Sequence, residues 1–139
     1  MYSTFLVLLP PTYVDNEEAI YVRIEELATP YLSSSFDDAA EAELNRLSHE
    51  NLPELRRVAK PMFDYFYVEK EFPASIVFVS KLPPDFVPNA VLTPDGVMHG
   101  NEKYNTFVYN SDDPYWLAQY RRVLSDYPDH LAVEVGCHH

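Results

Sequence analysis

The chain has 139 residues, 47% of them hydrophobic, with 3 glycines and a net charge of −12 from 22 acidic and 10 basic residues. That length and apolar share suit one globular domain, 1–139, rather than a disordered tail. Charge spread evenly along the chain, with no basic cluster, argues against direct nucleic-acid binding and against an anionic membrane, and makes a basic protein surface the complementary partner.

Tyr2 to Leu9 is a dense apolar run closed by Pro10-Pro11, the pattern of a central strand buried on both faces. It is too short for a signal-peptide core, and no later stretch approaches the roughly 18 apolar residues of a spanning helix. Asp15 or Asn16 offers an N-cap, with Glu17 and Glu18 in the first turn. Ile20, Ile24, Leu27 and Tyr31 at helical spacing then predict a helix over 16–28, ended by Pro30. A second helix is expected from about 36 to 48 on Ala40, Leu44 and Leu47. A third starts near Asn51 and Pro53, with Leu55 and Val58 inward, and stops at Pro61.

Phe63 to Val68 reads as an aromatic strand, and Ser75 to Val79 as either another strand or a segment packing beside it. Val91 to Thr93 leads into the turn Pro94-Asp95-Gly96 and returns antiparallel over Val97 to His99. Tyr104 to Tyr109 is short, aromatic and ambiguous. Asp112 or Asp113 caps a helix whose inward stripe is Trp116, Tyr120, Val123, Leu124 and Tyr127. Leu131, Val133 and Val135 alternate with Ala132 and Glu134 as a final strand, leading to Cys137-His138-His139. The order predicts an α+β domain: a ferredoxin-like antiparallel sheet, helices packed on one face, with 3–9 and 131–135 at its centre.

Several segments together resemble a family of small phage and phage-like bacterial proteins with no assigned activity. The family pattern, LxxPY, then WDWY…GGRW, then TPDGxWHE … YPDHLAVxVDCH, is met by Leu27-Ala28-Thr29-Pro30-Tyr31 and by Phe63-Asp64-Tyr65-Phe66-Tyr67. It is met again by Thr93-Pro94-Asp95-Gly96 with His99, by Tyr127 to Val133, and by Cys137-His138. Glu69-Lys70-Glu71-Phe72 replace the middle Gly-Gly-Arg-Trp, Met98 replaces the aromatic before the histidine, and Gly136 replaces the acid before the cysteine. The resemblance implies phage origin and a shared fold, and it carries no activity.

Metal-capable side chains are few. His99, Asp129, His130 and Cys137, with His138, supply suitable zinc ligand types, but no CxxC pair or HExxH spacing is present. Ordinary loop histidines and a frayed terminus explain them more simply. The single Cys137 forms no internal disulfide, which points to a reducing cytoplasm. His138 beside it would face the opposite way in a strand, so a Cys-His nucleophile is not expected. The acid pairs Glu17-Glu18 and Asp112-Asp113 are explained by helix capping and Glu25-Glu26 by a solvated helix face, while Asp37-Asp38 belongs to the acidic face of the second helix.

No nucleophile, base and oxyanion set can be assembled, so no catalysis and no cofactor are expected. The favoured function is a non-catalytic module that binds a basic protein, as a phage-encoded antagonist of a host nucleic-acid-handling or defence protein. Its surface would combine Glu17, Glu18, Glu25, Glu26, Asp37 and Asp38 with exposed Tyr65, Tyr67, Tyr104 and Tyr109. The alternatives are a metal-assisted hydrolase using His99, Asp129, His130 and Cys137, and a structural homodimer or larger homo-oligomer joined through its aromatic strands.

Overall fold

The computed structural model describes residues 2–35, 38–50, 62–68, 76–100 and 113–139. Its elements run β1 (Tyr2–Leu9), α1 (Glu17–Ala28), α2 (Asp38–Glu50), β2 (Tyr65–Val68), β3 (Ile76–Phe78), β4 (Ala90–Leu92), β5 (Met98–His99), α3 (Pro114–Ser125) and β6 (Leu131–His138). The helix expected after Asn51 and the aromatic segment 104–109 lie outside the described residues, as do Asp37 and Asp112.

In β1, Phe5, Val7 and Leu9 enter one core cluster and Leu6 and Leu8 another, all at most 1% exposed. Successive side chains of a strand leave opposite faces, so an unbroken apolar run needs cover on both sides. α1 supplies it on the first face with Ile20, Ile24, Leu27 and Ala28. On the second, α3 supplies it with Trp116, Tyr120 and Val123. The α+β class therefore holds, but the expected one-sided packing of helices does not. The same double burial that marks β1 as central requires a helix on each side.

Among the described strands the order is β2-β6-β1-β4-β5, with β3 also paired to β6. β1 and β6 form a full antiparallel ladder from Tyr2↔His138 to Leu9↔Leu131, which joins the two segments expected at the centre. β1 meets β4 in parallel through Phe5↔Ala90 and Val7↔Leu92, which departs from an all-antiparallel ferredoxin-like sheet. The outer edge of β6 is divided: β3 pairs with Leu131 to Val133, and β2 pairs with Val135 to His138. β6 thus continues through Gly136 to His138, and Cys137-His138 are held in the ladder rather than frayed.

Local chemistry sets the element ends. The Asn16 carboxamide accepts from the Ala19 N–H at 3.1 Å, and Asp113 accepts from the Tyr115 N–H at 2.9 Å. Such caps each contribute about 1 kcal/mol. Burial of Ile20, Ile24 and Leu27 contributes roughly 1.5–3 kcal/mol apiece, against less than about 1 kcal/mol for an exposed ion pair such as Arg23–Glu26. Packing, not charge, decides where α1 sits.

The β4–β5 hairpin turns where Gly96 donates its N–H to the Thr93 carbonyl at 2.9 Å, with Gly96 at φ 87°. Glycine takes that conformation without steric cost. Beneath the hairpin, Tyr31 donates to the Gly96 carbonyl at 2.6 Å and accepts from the Met98 N–H at 3.1 Å. Two segments singled out in the sequence, Leu27–Tyr31 and Thr93–Gly96, thereby meet through one hydroxyl. Tyr31→Phe removes that hydroxyl and leaves a buried donor and acceptor without it, so urea denaturation should show a loss of about 1–3 kcal/mol.

Candidate functional site

β2 is a short strand with two different faces. Phe66 and Val68 pack against the cluster that α1 covers, so Tyr65 and Tyr67 point to the other face of the sheet. The register places Tyr65 opposite His138, Tyr67 opposite Gly136, and Tyr2 on the far side of His138. Trp116, Tyr120 and Val123 of α3 pack with Leu6, Leu8, Val91 and Ala132. At the other end of that face Tyr2, Tyr65 and Tyr67 stay 66%, 46% and 39% exposed.

These rings form an organised patch. The hydroxyls of Tyr2 and Tyr65 are hydrogen-bonded at 3.1 Å, which pushes ionisation of Tyr65 up to about 12. Tyr65 stacks on the His138 imidazole with centroids 5.4 Å apart and planes 5° from parallel, while Tyr2 meets that imidazole edge-on. The Asp64 carboxylate bonds His138 Nδ1 at 2.9 Å and fixes the ring from the side. Tyr67 lies over the bare backbone of Gly136, where an ideal Cβ would stand 2.5 Å from the tyrosine Cζ. The residue that interrupts the apolar pattern of β6 is therefore the seat for an aromatic ring.

Of the residues expected to form an interaction surface, Tyr65 and Tyr67 lie in this patch. Phe63, two residues before Tyr65, is instead buried and stacked on Phe5 with centroids 5.5 Å apart. Glu17, Glu18, Glu25 and Glu26 are exposed on α1, and Asp38 is exposed at the start of α2. Because α1 covers the opposite side of the sheet, its carboxylates and the tyrosines do not form one continuous surface. Asp37, Tyr104 and Tyr109 lie outside the described residues. Tyr2, Asp64 and His138 were not expected in the site. Tyr2 and His138 join Tyr65 only through the cross-strand register, and Asp64 reaches His138 from the position just before β2.

The four residues considered for metal binding are not brought together. His130 and Cys137 stand near opposite ends of β6, roughly 23 Å apart at the ~3.3 Å rise of a strand. Among the described residues no three His, Cys, Asp or Glu side chains converge as a metal set. Each has a local role instead. His99 lies 3.3 Å from the buried Thr93 hydroxyl, which also bonds the Asp95 carboxylate inside the turn. His130 Nδ1 bonds Asp129 at 2.8 Å and holds that carboxyl below its ordinary value.

Cys137 is 0% exposed, on the α1 side of β6, with its Sγ directed at the Ser3 carbonyl. Burial pushes its thiol up to about 12, far from the activated range of nucleophilic cysteines. His139 is tied to the Ser3 hydroxyl at 2.6 Å, and burial lowers its pKa. Among the described residues, no helix is long and apolar enough to cross a membrane. Comparison with known proteins returned no matching family model, curated protein or solved structure.

Two outcomes test this geometry. In native protein at pH 8, Cys137 should fail to react with an aromatic disulfide reagent over hours, and should react fully once the chain is unfolded. Gly136→Ala should displace the exposed Tyr67 ring, seen as shifted tyrosine resonances. Stability should change by less than about 1 kcal/mol, because a partly exposed ring can swing aside.

Proposed function

We propose that this chain is a non-catalytic binding module for a basic protein surface, acting in the cytoplasm. The observation that carries the reading is the patch of exposed Tyr2, Tyr65 and Tyr67 around half-buried His138, at the end of a sheet face whose other end α3 covers. Exposed tyrosines in a contiguous group are the residue type that anchors protein interfaces, because they bury a large area at little rotamer cost.

Charge selects the class of partner. The chain carries −12 overall, and β1, β2 and β6 contain no lysine or arginine, while Asp64 and Glu134 stand beside or within them. The carboxylates of α1 and α2 act at longer range, as a field that speeds encounter with a cationic surface. The resemblance to phage-associated proteins directs the proposal to a host protein that handles nucleic acid, whose phosphate-binding lysines and arginines an acidic surface would occupy.

The test is capture from a bacterial host lysate on immobilised protein, at low and at high salt, with mass spectrometry of what is retained. A specific basic partner is expected, held strongly at low salt and weakly but measurably at high salt, since screening removes the charge contribution and leaves the aromatic one. Tyr65→Ala should abolish the high-salt fraction. Retention of nothing above background, or of an acidic partner, overturns the proposal.

A further inference from the structure

We infer that the Tyr2–Tyr65–Tyr67–His138 patch is an arginine-binding shelf, selective for guanidinium over ammonium groups on the basic partner. The inference rests on the functional reading above and narrows it from a charge to a chemical group.

Lysine and arginine differ in what they can use. A lysine ammonium is a compact, strongly hydrated charge, which gains from a carboxylate and little from ring planes held at a fixed tilt. A guanidinium is flat and weakly hydrated; it stacks on aromatic faces while its N–H groups reach a carboxylate in its own plane. The patch offers both features side by side. The rings of Tyr65 and Tyr67 have centroids 6.5 Å apart and planes inclined by 35°, so they form a shallow shelf rather than a closed cage. Asp64 precedes Tyr65 and keeps 59% of its side chain exposed while bound to His138.

The shelf is also preorganised. Tyr65 is held by the Tyr2 hydroxyl and the His138 ring, and Tyr67 rests against Gly136. Rings already fixed in place lose little freedom when a ligand stacks on them, which favours affinity. A shelf whose rings stay partly exposed suits a side chain delivered from a protein surface.

The probes are hexa-arginine and hexa-lysine, equal in charge, titrated into the intact protein by calorimetry at moderate salt. Hexa-arginine should bind about three- to five-fold more tightly, the scale of an exposed cation–π contact. Tyr65→Ala combined with Tyr67→Ala should erase that preference and leave hexa-lysine affinity nearly unchanged. Tyr65→Phe, which keeps the ring, should retain the preference and confirms that the sheet tolerates change at this position. Converting Glu17, Glu18, Glu25 and Glu26 together to Gln should weaken both peptides equally. Equal binding of the two peptides overturns the shelf but leaves the basic-partner reading standing. Failure of both peptides to bind overturns both. A preference that survives the double alanine variant, or a patch occluded by dimerisation in light scattering, also overturns the shelf.

Discussion

Everything in this molecule is arranged around the double burial of β1. Phe5, Val7 and Leu9 on one face, with Leu6 and Leu8 on the other, cannot be hidden by a single layer. The strand must lie inside a sheet and the sheet must be covered twice. β6 and β4 satisfy its two edges, and α1 and α3 satisfy its two faces. Removing either cover would expose side chains worth several kcal/mol in transfer free energy, which exceeds what any of the surface ion pairs could offset.

The patch follows from the same arrangement. α3 is twelve residues long and its buried side chains pack over Leu6, Leu8, Val91 and Ala132. Toward the C-terminal end of β6 the strands run past this cover, and parity places Tyr2, Tyr65, Tyr67 and His138 on the open face. On the opposite face at the same level, Cys137 is buried and Phe66 packs against the larger core. One end of the sheet thus has a dry side and a wet side, and aromatic residues serve both. Phe63 and Phe5 stack within the core, while Tyr2, Tyr65 and Tyr67 stay partly exposed on the other side.

Much of this was legible in the sequence, for identifiable reasons. β1, α1, α3 and the Thr93–Gly96 turn carry signals written in adjacent residues: an apolar run, a cap with a 3.6-residue stripe, and a Pro-Asp-Gly corner. The side on which each helix packs is not a local property, and the residue pattern alone does not carry it. Glycine is a poor strand former, and the place of Gly136 in β6 is fixed by Tyr67, far away in sequence. The metal set failed for the converse reason. His99, Asp129, His130 and Cys137 were grouped by ligand type without spacing, and a strand keeps its ends apart. Tyr65 and Tyr67 can be picked out by alternation, whereas their partners Tyr2 and His138 require the register between strands, and Asp64 follows from its bond to His138.

The β1–β6 ladder has a consequence for how the chain reaches this state. Every rung joins one of the first ten residues to one beyond 130. During synthesis β1 emerges from the ribosome early, with its apolar faces and both edges unsatisfied, and its long antiparallel partner is made among the last residues of this sequence. Until then the sheet has no centre, and local helices alone cannot cover those side chains. Non-local pairing of this kind slows folding, because loop-closure entropy is lost before the contacts form. Phe5 to Leu9 therefore stays without its β6 partner until the segment from Leu131 onward has been made, and such exposed apolar strands are prone to aggregate.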